Sequence, residues 1–188
     1  IFDFHISFPY VGLYTVMQVK KPFIFLKKMS SMLNALYRKK SKTNLVVKNK
    51  SSNKNIYNPV TNYDKLLEKF IRNFIQKSFP EDGIIGEEFK DKKALNKFKW
   101  VIDPIDGTKA FIIGLPTWSN LIGLKYKKKS IIGLANFPKL NKFYLNDDKR
   151  SYVFKNKKKY KIKTSKNSNL KTIKIAGNFY RNFSNKRK

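Results

Sequence analysis

Residues 100–108 read Trp-Val-Ile-Asp-Pro-Ile-Asp-Gly-Thr, and this stretch says the most about the fold of the chain. Three apolar residues predict a strand that delivers Asp103 at its carboxyl end, where a proline then stops regular pairing. Asp106 follows three residues later, so both carboxylates can turn toward one point. Gly107 and Thr108 open a new segment whose N–H groups can receive a phosphate. Metal-assisted hydrolysis of a phosphate ester needs carboxylates that bind the metal cations next to backbone amides that bind the phosphate.

The same stretch could be an ordinary turn, because Asp, Pro and Gly are the commonest turn residues. The distribution of acidic residues bears on this choice. The 188-residue chain has 12 acidic residues against 42 basic ones, and nine of the 12 fall between residues 64 and 106. They are Asp64, Glu68, Glu81, Asp82, Glu87, Glu88, Asp91, Asp103 and Asp106. Because Mg²⁺ takes oxygen ligands, this cluster is a candidate metal site, although some of its members are expected to be helix caps and turn residues.

The composition excludes several kinds of site. The chain has no cysteine, which rules out disulfides, thiolate zinc sites and a cysteine nucleophile. A single histidine, His5, nearly excludes a Ser-His-Asp triad or a multi-histidine metal site. With 41% hydrophobic residues, the chain can bury a core of one domain.

The formal net charge of +30 raises the question of a polyanionic partner. Only five of the 42 basic residues are arginine, the residue best suited to specific phosphate and base recognition. Lysine, asparagine, isoleucine, phenylalanine and tyrosine are all residues of AT-rich codons, so compositional drift explains the charge without a ligand. Non-specific polyanion binding stays as the alternative, and specific nucleic-acid recognition is not predicted.

The order of elements predicts a mixed α/β fold in which helices are layered on a sheet. A helix is indicated where apolar residues recur with helical spacing from 66 to 75, and Thr61 with Asp64 forms a capping box before it. A strand-rich half follows. Its predicted strands are 84–85, 100–102, Leu121–Leu124, Ile131–Ala135, Phe143–Leu145, Tyr152–Phe154 and Ile173–Ala176, with an earlier short strand at Leu45–Val47.

Residues 1–28 are interpreted as an N-terminal extension or upstream read-through, and residues 29–188 as the N-terminal and central part of one metal-dependent phosphatase domain. The first 19 residues are apolar and aromatic, but Asp3, His5, Pro9 and Gly12 interrupt them, so a membrane span is not predicted. Lysines follow this stretch instead of preceding it, which does not fit a signal peptide. A helix is predicted from Met29 to about Lys40, and the protein is expected in the cytoplasm.

Three segments in order resemble the signatures of the inositol monophosphatase superfamily of Mg²⁺-dependent phosphomonoesterases. They are residues 59–64 (Pro-Val-Thr-Asn-Tyr-Asp), residues 86–88 (Gly-Glu-Glu) and residues 103–108 (Asp-Pro-Ile-Asp-Gly-Thr). The continuation over residues 111–118 looks most like the histidinol-phosphatase branch. The resemblance implies a sugar-phosphatase-like fold over roughly residues 29–178.

The resemblance also implies roles for individual residues. Glu87, Asp103, Asp106 and the backbone carbonyl of Ile105 would bind Mg²⁺, with two or three ions in the complete family site. Glu87 would also be catalytic, and Asp64 and Thr108 would form a dyad that helps to deprotonate the attacking water. The amides of Gly107 and Thr108 would bind the phosphate.

The family's chain continues past this one, and the resemblance implies a further metal-binding aspartate that residues 125–188 do not supply. Asp147 and Asp148 lie in a predicted hairpin turn without matching context, so the fold is expected to be incomplete at its C-terminus. The implied reaction is hydrolysis of a small phosphorylated alcohol, histidinol phosphate in histidine biosynthesis first and inositol 1-phosphate second. No covalent intermediate is implied, and a homodimer is left open. An inactive basic remnant that binds polyanions is the alternative of another class.

Overall fold

The computed structural model describes residues 13–40, 44–52, 57–147, 149–169 and 171–172. Its helices are α1 (Leu13–Lys40), α2 (Asn62–Ser78) and α3 (Thr108–Ile112), and a short 3-10 turn spans Pro138–Leu140. The strands are β1 (Val47–Asn49), β2 (Pro59–Thr61), β3 (Gly83–Gly86), β4 (Phe98–Asp106), β5 (Ser119–Tyr126), β6 (Lys129–Phe137), β7 (Lys142–Asn146), β8 (Ser151–Lys155) and β9 (Lys158–Ile162).

One seven-stranded sheet forms the centre of the described structure, in the order β3-β4-β5-β6-β7-β8-β9. Strand β3 pairs with β4 in parallel, and each later pair is antiparallel. Strands β1 and β2 form a separate antiparallel pair just before α2. Because strand order follows chain order, short turns make most of the connections.

Helix α2 forms as its sequence predicts. Thr61 is its N-cap, and the capping box between Thr61 and Asp64 is present. Leu67, Ile71 and Ile75 share one face and are fully buried in the core that contains Trp100 of β4. The predicted class, a mixed α/β fold with helices layered on a sheet, is confirmed.

Helix α1 crosses the boundary that was expected at residue 28. The helix was predicted to begin at Met29, but it already includes Leu13. Val19, Leu26, Met29 and Leu33 are at most 2% exposed and belong to the same core as the sheet. Their spacing of seven, three and four residues places them on one face, so residues from 19 onward take part in the fold.

The described residues contain no helix that is long and apolar enough to span a membrane.

Most strand predictions are confirmed in β3 to β8, with ends that differ by a few residues. The early strand lies at Val47–Asn49 instead of Leu45–Val47, and the one predicted at Ile173–Ala176 lies outside the described residues. Strand β9 was not predicted. Four of its five residues are exposed, so its sequence lacks the apolar alternation of a half-buried strand.

Candidate active site

A bulge in β4 separates the two aspartates of the central stretch. Asp103 pairs with Leu121 and Asp106 pairs with Ser119, so β4 advances three residues while β5 advances two. In a regular strand, residues three apart point to opposite faces, and the extra residue re-aims the side chains. The Ile105 amide donates to Asp103 Oδ1 at 3.1 Å, and the Ser119 hydroxyl donates to Asp106 Oδ2 at 3.3 Å.

The parallel pairing of β3 with β4 places Glu87 beside Asp103. Gly86 is aligned with Ile102, so the next residue of each strand is a carboxylate at the same edge of the sheet. The pKa of Asp103 is raised from 3.8 to about 7 by burial and by the nearby carboxylates of Glu87 and Asp106. The structure therefore places Glu87 and Asp106 within electrostatic reach of Asp103.

Glu68 of α2 binds the backbone of the Gly-Glu-Glu turn at residues 86–88. Its side chain is fully buried, and its Oε2 accepts from the amides of Glu87 at 3.0 Å and Glu88 at 2.7 Å. Its other oxygen accepts from Arg72 Nε at 2.7 Å. This role was not predicted, although the spacing of Asp64, Glu68 and Arg72 by four residues on one helix face was a signal for it.

Lys50 contacts the same turn and was also missed. Its ammonium group donates to Glu87 Oε1 at 2.9 Å and to Glu88 Oε1. Burial by itself lowers the pKa of Lys50, but the hydrogen bonds to Glu88 and Glu87 outweigh it and raise that pKa. The side chain of Glu87 is 48% exposed and that of Glu88 is 3% exposed, so of the two side chains Glu87 is the more accessible to a ligand from solvent.

Asp64 and Thr108, the two members of the implied dyad, each have another hydrogen-bond partner in this structure. The Thr61 amide and hydroxyl each donate to Asp64 Oδ2 at 2.6 Å. Thr61 is closer in the chain and already fixed by the capping box, so it is the partner that Asp64 meets. The Thr108 hydroxyl instead donates to the Ile105 carbonyl at 3.1 Å.

Gly107 and Thr108 begin the short helix α3. Gly107 is its N-cap, with a φ of 85° that favours glycine, and no side chain caps the helix. The Ile105 carbonyl accepts from Thr108, and because a carbonyl oxygen has two lone pairs, it can still bind a cation.

The donor set fits a hard divalent cation. The predicted ligands are three carboxylates and one carbonyl, all of them oxygen donors. Burial first and then repulsion from Glu87 and Asp106 raise the pKa of Asp103, and a bound cation would relieve that repulsion. As placed, no three acidic or imidazole side chains among the described residues converge closely enough to hold an ion. Lys50 supplies positive charge at Glu87 instead.

The raised pKa of Asp103 predicts a pH-dependent stability of the metal-free chain. The folded state holds this proton up to about pH 7 and the unfolded state releases it near 3.8, so the free energy of unfolding should fall as pH rises between these values. Urea denaturation in chelator from about pH 5 to about pH 8 checks this. The Asp103→Asn variant lacks this titrating group, so the difference in its free energy of unfolding from that of the native chain should grow in its favour as pH rises. If the two chains show parallel curves of unfolding free energy against pH, the raised pKa does not belong to Asp103.

Comparison with known proteins identifies relatives along most of the chain. The sequence model described as "Inositol monophosphatase family" matches residues 23–187. A histidinol-phosphatase of Chlorobaculum parvum is 41% identical over 98 residues, which cover 52% of this chain and 38% of that protein. A Nus factor SuhB of Haemophilus influenzae is 35% identical over 125 residues, which cover 62% of this chain and 47% of that protein. The matched segments span less than half of either relative.

Solved structures agree on the fold. The Thermotoga maritima IMPase TM1415 superposes with a TM-score of 0.60 at 26% identity, covering 80% of this chain and 55% of that one. An IMPase/NADP phosphatase solved in complex with Mg²⁺ and phosphate gives a TM-score of 0.58 at 20% identity, and the match covers 74% of this chain and 51% of that one.

Proposed function

The chain belongs to the inositol monophosphatase family, and we propose that it carries the metal-binding part of a Mg²⁺-dependent phosphomonoesterase. The reaction is hydrolysis of a small phosphorylated alcohol to the alcohol and inorganic phosphate. The observation that carries the proposal is the electrostatic coupling of Asp103 to Glu87 and Asp106 where β3 and β4 run side by side, since burial and these two carboxylates raise the pKa of Asp103.

Each residue of the site has a proposed task. Glu87, Asp103, Asp106 and the Ile105 carbonyl hold Mg²⁺, which when bound makes a water molecule a stronger acid and neutralises phosphate charge. The amides of Gly107 and Thr108 hold the phosphate oxygens.

We assign handling of the attacking water to three side chains. Asp64 accepts the proton that the water loses, Glu87 accepts a hydrogen bond from the same water, and the Thr108 hydroxyl, fixed on the Ile105 carbonyl, orients it. Both hydrogen bonds from Thr61 end on Oδ2 of Asp64, so they do not engage its other oxygen.

The proposed substrate is histidinol phosphate, with inositol 1-phosphate as the alternative. Similarity to the histidinol-phosphatase of C. parvum supports the first, and the fold of the T. maritima IMPase is compatible with the second. The test is phosphate release from both esters in parallel, with and without Mg²⁺. We expect Mg²⁺-dependent release that is faster from histidinol phosphate; faster release from the inositol ester would overturn the substrate, and no release from a folded sample would overturn the activity of this chain.

A second candidate function is non-specific binding of polyanions. A cleft beside β8 and β9 is lined by four basic side chains, Lys149, Arg150, Lys161 and Lys163. Binding there would not use the carboxylates and would fall steeply with salt. Binding of a nucleic-acid duplex is measured for the native chain and for Asp103→Asn at several salt concentrations. The two functions are separated because the substitution should abolish phosphatase activity and leave polyanion binding unchanged.

A further inference from the structure

Three buried asparagines form a continuous hydrogen-bonded relay from helix α1 to strand β4. Asn136 Nδ2 donates to Asn34 Oδ1 and to Asn120 Oδ1, each at 2.9 Å. Asn120 Nδ2 then donates to the carbonyl of Pro104 at 2.7 Å. Asn120 and Asn136 are fully buried, and Asn34 is 7% exposed. The relay thus runs through the core and ends inside the bulge that carries Asp103 and Asp106.

The Pro104 carbonyl dictates the orientation of all three amides. A carbonyl only accepts, so Asn120 must present its Nδ2 to Pro104 and its Oδ1 to Asn136. Asn136 must therefore present Nδ2 to Asn120, and the second hydrogen of that group points to Asn34. Any other orientation would place two donors or two acceptors against each other.

The relay is costly to keep in a core. Asn136 Oδ1 is buried and has no hydrogen-bond partner among the described residues. Apolar side chains of the same size would avoid this unpaired acceptor. The arrangement therefore points to a positional role at Pro104 more than to a gain in stability.

The position of Asn120 matches that role. Its neighbours in β5, Ser119 and Leu121, are the residues that pair with Asp106 and Asp103. Asn120 is the one β5 residue between them, and it binds the backbone of the bulge directly. We propose that Asn120, supported by Asn136 and Asn34, is a positioning residue that fixes how Asp103 and Asp106 face each other, and so sets the affinity for Mg²⁺. This inference rests on the proposed function.

The test is direct binding of Mn²⁺, a hard cation that takes the same oxygen ligands, to the 188-residue chain by electron paramagnetic resonance. Asn120→Leu keeps the size of the side chain and removes the donor to Pro104. We expect its dissociation constant for Mn²⁺ to rise about tenfold or more, the range typical of groups that orient metal ligands. Asn146→Leu is the matched control, because Asn146 is a hydrogen-bonded asparagine of β7 in the same sheet. It should lower thermal stability without changing the Mn²⁺ affinity.

Asn34→Ala is the second variant, for the case that Asn120→Leu does not fold. It removes the acceptor at the far end of the relay, and we expect the Mn²⁺ dissociation constant to rise about threefold. Near-ultraviolet circular dichroism shows whether each variant keeps its core. Unchanged affinity in a folded relay variant, or an equal loss in Asn146→Leu, overturns the positioning role alone. A native chain that binds no Mn²⁺ overturns the metal site and this inference together.

Discussion

Replacing Asp103 by asparagine is expected to lower Mg²⁺-dependent phosphate release by about a hundredfold or more and to weaken Mn²⁺ binding in parallel. The substitution keeps the size of the side chain but removes the carboxylate that Asp103 would offer to the cation. A neutral amide oxygen is a much poorer ligand for a hard cation than a carboxylate. Activity against Mg²⁺ concentration, together with Mn²⁺ titration, measures the effect.

Asp91→Asn is the matched control for this prediction. Asp91 is an exposed acid of the loop after β3, and the same charge is removed there. Activity and metal affinity should be unchanged in this variant. If Asp103→Asn binds Mn²⁺ as tightly as the native chain while folded, the metal site does not include Asp103. If both variants lose activity equally, the effect reflects net charge instead of a ligand.

Gly86→Ala is expected to reduce the free energy of unfolding by about 3 kcal/mol, which lowers the melting temperature by about 10 °C for a chain of this size. A Cβ at this position would lie 2.1 Å from Glu68 Oε1 and 2.7 Å from Arg72 Nη2. These atoms cannot simply move aside, because Glu68 is fully buried and also holds the amides of Glu87 and Glu88. Thermal and urea denaturation measure the loss.

Gly123→Ala provides the control, since Gly123 lies in β5 of the same sheet. A Cβ there would meet its nearest neighbour, the Ile132 carbonyl, at 3.9 Å, an ordinary contact. Its effect should stay below about 1 kcal/mol. Equal effects of the two substitutions would show that the close approach of Gly86 to Glu68 does not limit stability. We also expect weaker Mn²⁺ binding in Gly86→Ala, because the Glu68 carboxylate orients the turn that carries Glu87.

The parts of the fold that were predictable have local causes. Helix α2 follows from an apolar stripe and from a capping box that spans four residues, so each signal lies within a few turns of chain. Helix α1 was predicted only from Met29 onward. Its buried residues are widely spaced in the sequence, so its buried face can be recognised only from its packing on the sheet. Strand β9 exists because β8 offers an edge to pair with, a cause that lies outside its own sequence.

The candidate site divides in the same way. Glu87, Asp103 and Asp106 could be proposed from sequence because they lie in short motifs at strand ends. Lys50, Glu68 and Asn120 were missed because what they do depends on contacts between separate elements: Lys50 reaches Glu87 across 37 residues of chain. The roles of Asp64 and Thr108 stay a prediction: the structure shows the Asp64 carboxylate bound to its local partner Thr61, and sequence spacing could not indicate that contact.

The sequence by itself determined the class of fold and the family, and it supplied the proposed oxygen donors, because periodicity, residue type and motif spacing are properties of the chain. Tertiary structure alone decided which carboxylates repel one another and which side chains contact the Gly-Glu-Glu turn. It also decided that the chain of buried asparagines ends on the Pro104 carbonyl. Burial and electrostatic coupling depend on distances between segments far apart in the chain. The parallel register of β3 and β4 is the physical reason that two motifs separate in the chain lie side by side.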